Sequence, residues 1–184
     1  MQKVFLEIGV CDFDTLLPLC DNGWKGYFVE PVYEYASWLL KQVLDYGYDA
    51  SVHCAAISSS NGSIKMITSN GKGAEWTKGI SHVLSDEQGL LWLPANTSFR
   101  DKIIEVPCYT LDKFIFANKI DRIDFLKVDV EGHEMEVLKN YSWDVMPSVI
   151  KIEHSHVDKD ILIDILDKKG YIVYNEANDL YAVR

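Results

Sequence analysis

The chain alternates between two residue periods. Val4-Phe5-Leu6-Glu7-Ile8, Gly26-Tyr27-Phe28-Val29-Glu30, Ser51 to Ile57, Ile103 to Tyr109, Ile123 to Val130 and Val149 to Glu153 are short apolar runs of good strand formers. Tyr33 to Tyr46 and Lys159 to Lys168 instead space their apolar residues at helical intervals, with Trp38, Leu39, Val43 and Leu44 in the first. Shorter helical stretches are expected at Phe13, Leu16, Leu17 and Cys20, stopping near Asn22-Gly23, at Leu111 to Asn118 behind Thr110, and at Glu134 to Asn140. Tyr171-Tyr174 and Leu180-Val183 close the pattern as a strand pair. Such alternation predicts an α/β domain with a mostly parallel central sheet of about seven strands and helices on both faces.

At 184 residues the chain is long enough for a single domain spanning 1–184 and short for two. Asn61-Gly62 predicts a hairpin into an extra strand at Ser63 to Thr68. The stretch 69–100 is rich in Gly, Ser and Asn yet carries Trp76, Trp92 and Phe99, and is expected to be a long substrate-side loop or insertion with apolar anchors.

Charge narrows the choice of partner. With 28 acidic against 18 basic residues the net charge is -10, which argues against nucleic acid and anionic membrane as partners, since both demand a basic face. No apolar run reaches the roughly 20 residues needed to cross a bilayer. Met1-Gln2-Lys3 leads straight into a strand without a leader pattern, so a cytoplasmic location is expected. Cys11, Cys20, Cys54 and Cys108 form no C-x-x-C pair and are expected to be ordinary partly buried thiols.

The acidic residues are not scattered. Glu7, Glu30, Asp129 with Glu131, and Glu153 all fall at or near the carboxyl ends of expected strands, where open α/β sheets bind ligands. Each could instead serve a following helix N-terminus, where a carboxylate is favoured by roughly 0.3–1 kcal/mol. Glu134 is expected in that role. A pyrophosphate would ask for G-x-G-x-x-G after the first strand, whereas the chain offers Gly9-Val10-Cys11-Asp12-Phe13-Asp14. A positively charged nucleoside without phosphates suits carboxylates better, and S-adenosylmethionine has those features.

The run Phe125-Leu126-Lys127-Val128-Asp129-Val130-Glu131-Gly132-His133-Glu134, followed by Val137-Leu138-Lys139-Asn140, resembles the signature of FkbM-like methyltransferases, class I enzymes that use S-adenosylmethionine. Phe5-Leu6-Glu7-Ile8-Gly9, Tyr27-Phe28-Val29-Glu30-Pro31 and Ala55-Ala56-Ile57-Ser58 with Gly62 resemble the family's first three motifs. Val106-Pro107 and Thr110-Leu111-Asp112 resemble the segment before the signature. Phe13 departs from the pattern, standing where the family often has a second glycine. The resemblance implies a Rossmann-like class I methyltransferase fold. It also implies that Glu7 and Gly9 shape the turn against the cofactor's methionine part, Glu30 holds the ribose, Ala56 or its neighbours line the adenine pocket, and Asp129 faces the methionyl side with Glu131 near the transfer site.

Methyl transfer asks for alignment, exclusion of water and removal of one proton. Asp129, Glu131 and His154 are the expected catalytic residues, with His156 on the same face as His154 if its strand continues. On a strand, Asp129 and Glu131 would likewise share a face. Asp129, Glu131, Glu153 and His154 could also hold a divalent metal such as Mg²⁺. The expected acceptor is a sugar or other small hydroxylated molecule. Two other classes fit the same pattern less well: a nicotinamide-dependent oxidoreductase, which lacks its glycines here, and a non-catalytic binding module.

Overall fold

The computed structural model describes residues 1–12, 15–69, 79, 81–84 and 100–184. Phe13, Trp76, Trp92, Phe99 and most of the stretch 69–100 lie outside the described residues.

The chain enters β1 (Val4–Ile8), a 3-10 turn at Leu17–Asn22, β2 (Lys25–Val29), α1 (Tyr33–Tyr46) and β3 (Ala50–His53). It continues through β4 (Ala56–Ile57), β5 (Gly62–Ser69), β6 (His82–Val83), β7 (Arg100–Tyr109) and α2 (Leu111–Ala117). The last third holds β8 (Phe125–Val128), α3 (Glu134–Leu138), β9 (Val149–Glu153), α4 (Lys159–Lys168), β10 (Ile172–Glu176) and β11 (Asp179–Val183). Thr110 opens α2 as expected, its Oγ1 accepting from the Lys113 amide at 3.3 Å, and Asp158 opens α4 through the Asp160 amide at 3.0 Å. Among the described residues no helix is long and apolar enough to cross a membrane.

Seven strands form one sheet in the order β10-β11-β9-β8-β1-β2-β3, parallel except for β11, which runs antiparallel to both neighbours. Alternation along β1 decides what each face buries. Leu6 and Ile8 join Tyr27, Val29, Leu126 and Val128 in a core that takes in Phe114 of α2, Val137 of α3 and Leu162 of α4. Phe5 packs with Phe28, Leu39 and Val43 on the other side, under α1. Helices therefore cover both faces, and the sheet is Rossmann-like. Successive strands depart to opposite sides of β1, which leaves a crevice beyond the carboxyl ends of β1 and β8.

Two expectations are corrected. Ser51 to Ile57 is not one strand: the Ala55 amide donates to the His53 carbonyl at 3.0 Å, and this tight turn lifts the chain out of the first sheet. β3 stays at that sheet's edge, while β4 joins a second sheet of four strands ordered β4-β7-β5-β6. Nor does Asn61-Gly62 make a hairpin. β7 lies between β4 and β5, pairing parallel with the first and antiparallel with the second, and the Asn61 side chain accepts from the Thr110 amide at 3.1 Å.

β1 and β8 place Glu7 opposite Lys127 in register. Both side chains are buried, and Nζ stands 3.2 Å from the Glu7 carboxylate. Removing one member of such a pair leaves a charge without its partner in a medium that cannot solvate it. Lys127→Met is expected to cost about 3–5 kcal/mol in urea unfolding, and Glu7→Gln combined with Lys127→Met to recover much of that loss. Equal losses for single and double variants would show that the pair does not stabilise the sheet centre.

Candidate active site

The crevice at the ends of β1, β2 and β8 is an open cleft. Its walls combine apolar side chains, among them Ile8, Val29, Ala56, Ile57 and Val130, with the acids Glu30, Asp129 and Glu131. Among the described residues no lysine or arginine lines it. Gly79, Ser81 and Val83, from the stretch expected on the substrate side, contribute to the wall.

Backbone conformation shapes the mouth. Gly9 has φ +78°, and a Cβ there would lie 1.7 Å from the Asp129 carbonyl oxygen, so only glycine lets the first loop approach the end of β8 this closely. Cys11 at φ 53° and Glu131 at φ 54° are also left-handed, although neither is glycine. Strain of this kind persists only where surrounding bonds over-determine it.

Those bonds come from carboxylates. Glu7, wholly buried, accepts from the Thr15 hydroxyl at 2.9 Å and the Leu16 amide at 2.8 Å, in addition to its pairing with Lys127. Glu30 Oε2 accepts from the Val10 and Cys11 amides, each at 2.9 Å, and Oε1 from the Val32 amide at 2.7 Å. Glu30 is only 4% exposed. Burial raises the pKa of both groups, against the pull of Lys127 on Glu7 and of the amide donors on Glu30.

Glu134 stands in the first turn of α3, as expected, but it is buried and also holds the preceding turn. It is 1% exposed, and its Oε1 accepts from the Val130 amide at 3.0 Å and the Gly132 amide at 3.2 Å. The left-handed turn at Glu131 and Gly132 folds both N–H groups back onto it. Burial pushes its pKa up to about 7.

Asp129 and Glu131 do face one cleft, but not through the strand pleat, because β8 ends at Val128. The left-handed turn at Glu131 sets that side chain. Asp129 keeps a third of its side chain exposed and stands 3.9 Å from Lys127. Burial pushes its pKa up to about 7; Lys127 opposes the shift, while Glu153, Glu131 and Glu134 add to it.

The histidines separate. His154 Nε2 bonds the Asn175 side chain at 2.9 Å, whereas His156 Nε2 lies 3.4 Å from Glu131 Oε2, a contact that raises its pKa. The structure thus brings His156, rather than His154, to the expected acids. The strand stops at Glu153, so period two does not carry the pair onto one face. His133 lines the cleft, bonds the Ser58 hydroxyl at 2.8 Å and is held toward the neutral form by burial. Among the described residues, Glu131, Glu153 and His156 are the group whose ligand atoms converge, all within 4.8 Å of one another. Asp129 and His154, expected as further metal ligands, are not part of it.

Lys127 and Glu134 were not among the expected site residues. A signal for Lys127 was present: a lysine between Leu126 and Val128 in a core strand needs a buried anion, and Glu7 sits in the same way between Leu6 and Ile8.

The cleft also tests what it could hold. Acidic groups without a lysine or arginine disfavour a pyrophosphate and favour a cation, while the alanines and Ile57 offer a flat apolar wall. The acid-lined cleft thus lies at the switch point of a Rossmann-like sheet. Residues 4–173 match the family described as Methyltransferase FkbM domain, and the chain belongs to that family. Among solved structures, the chain is similar to the precorrin-6y C5,15-methyltransferase from Geobacter metallireducens GS-15, at 13% identity and a TM-score of 0.45, covering 99% of this chain and 80% of that one. No curated protein matches the sequence.

Glu30→Ala removes the acceptor of the amides of Val10, Cys11 and Val32. It is expected to lower stability by roughly 1–3 kcal/mol for each amide that water cannot reach. Gly9→Ala is expected to cost at least about 1–3 kcal/mol from backbone strain alone. Thermal unfolding checks both; unchanged midpoints would show that the first loop is not held as described.

Proposed function

We propose that the chain is an S-adenosylmethionine-dependent methyltransferase that methylates a hydroxyl of a sugar or another small molecule. The observation that carries this reading is the acid-lined cleft at the switch point, lined by no lysine or arginine among the described residues, in a chain of the FkbM family.

When bound, S-adenosylmethionine supplies a methyl carbon activated by sulfonium, whose transfer to an acceptor oxygen breaks the methyl–sulfur bond and leaves a neutral thioether. The chain's residues bind, orient and deprotonate. Gly9 lets the loop close over the methionine end, and Glu7 holds that loop from below without reaching the cleft. Glu30 fixes the same loop through Oε2, and its Oε1, with one amide donor, retains a lone pair for a ribose hydroxyl. Ala56 with Ala55 and Ile57 makes the apolar wall for the adenine. Asp129 offers negative charge to the methionyl ammonium and the sulfonium. Glu131, on the rim, takes the acceptor's proton. His156 replaces His154 in this assignment because it is the histidine in contact with Glu131. The segment carrying Gly79, Ser81 and Val83 forms the acceptor side of the cleft.

Calorimetry with S-adenosylmethionine, followed by an acceptor screen that reads S-adenosylhomocysteine release, tests the reading. Saturable binding and acceptor-dependent release are expected; no binding would overturn it, and binding without turnover on any acceptor would favour a non-catalytic module. Asp129→Asn and Glu131→Gln should each lower turnover by at least roughly 100-fold with unchanged unfolding midpoints, the low end for losing a positioned acid-base or electrostatic group. Near-normal turnover in both would remove these acids from the chemistry.

A further inference from the structure

We infer that Glu131, Glu153 and His156 form a binding site for one divalent first-row transition ion, of the Mn²⁺ or Zn²⁺ type, at the rim of the cleft. The ligand atoms of the three residues already lie within 4.8 Å of one another. Two ligands of one ion, bound at about 2.0–2.2 Å, stand at most about 4.4 Å apart. Three ligands sharing one ion stand closer than that, roughly 3.5–3.8 Å apart, so side-chain shifts of up to about 1–1.5 Å complete the site.

The ends of two adjacent parallel strands build the group. Glu153 ends β9, and Glu131 lies in the turn after its neighbour β8, with His156 three residues beyond Glu153. Glu153 has one oxygen occupied, since Oε1 accepts from the Ser155 hydroxyl at 2.8 Å. Its Oε2 is buried and accepts no hydrogen bond from the described residues.

A second observation, independent of the cluster, points to a cation. Glu134 is 1% exposed, and while Oε1 holds the turn's amides, Oε2 is buried with no hydrogen-bond partner among the described residues. Through those two amides Glu134 sits directly against the turn that carries Glu131. Two buried carboxylate oxygens without donors among the described residues, in a group with a third carboxylate and an imidazole, are ligand atoms that a divalent cation would satisfy.

The donor set selects the ion. Mg²⁺ prefers oxygen and water, whereas an imidazole shifts preference toward Zn²⁺ and its neighbours, with Mn²⁺ tolerant of the carboxylates. Three protein ligands leave at least one position open, and Glu131 faces the cleft. An acceptor hydroxyl entering there would bind the ion directly. That last role rests on the methyl-transfer reading; the site itself does not.

The experiment is titration of the purified chain with Mn²⁺, followed by loss of the free-ion electron paramagnetic resonance signal, with Mg²⁺ as a comparison and S-adenosylmethionine affinity measured in parallel. One saturable Mn²⁺ per chain is expected, with Mg²⁺ at least about tenfold weaker. Glu153→Gln and His156→Gln should each weaken Mn²⁺ by at least about tenfold, a loss that disturbing even an outer partner of a metal produces. Mn²⁺ should also raise the unfolding midpoint of the wild-type chain, a readout that needs no variant to fold. No saturable binding, equal affinity for Mg²⁺, or binding unchanged in both variants would overturn the site. Mn²⁺ binding without S-adenosylmethionine binding would overturn the methyl-transfer reading and leave the site standing.

Discussion

The buried pair of Glu7 and Lys127 is the constraint from which the site is built. It lies where β1 and β8 are in register, at the centre of the seven-stranded sheet, with both side chains almost fully withdrawn from water. Withdrawing two charges is expensive, and geometry as well as further hydrogen bonds must compensate. Glu7 obtains them from Thr15 and Leu16, so the loop after β1 is tied to the sheet by the same carboxylate that neutralises Lys127. The other end of Lys127's field reaches Asp129 at 3.9 Å. One ammonium thus couples the floor of the first loop to an acid in the cleft.

The acidic strand ends divide by burial into two kinds. Glu7 and Glu30, with Glu134 from the start of α3 through its Oε1, are nearly inaccessible and accept hydrogen bonds from loop amides and hydroxyls. They hold the left-handed turns at Gly9, Cys11 and Glu131 in place. Asp129 and Glu131 remain partly open and face the cleft. Precision at the second kind depends on the first, because a side chain on a turn is only as well placed as the amides beneath it.

The second sheet closes one side of the cleft. The turn at Ala55 moves Ala56 and Ile57 out of line with β3 and into pairing with β7, and that displacement makes them a wall of the cleft instead of an edge of the main sheet. Met66 and Val83, from β5 and β6, face the same space.

The parallel sheet, the helices on its two faces and the clustering of acids at strand ends were legible in the chain itself. Residue period and strand chemistry are local properties, and Val4–Ile8, Tyr33–Tyr46, Val149–Glu153 and Lys159–Lys168 took the expected boundaries. The family motifs were legible for the same reason, being contiguous. What no local pattern determined was which oxygen each acid would present, and to what. Glu134 turned inward because two amides converged on it. Glu131 reached the cleft through a left-handed turn rather than a pleat. His156 met Glu131, while His154 went to Asn175 across the β9–β10 end. Those outcomes depend on the directions in which separate loops leave the sheet, a property of strand packing in three dimensions that a linear pattern does not carry.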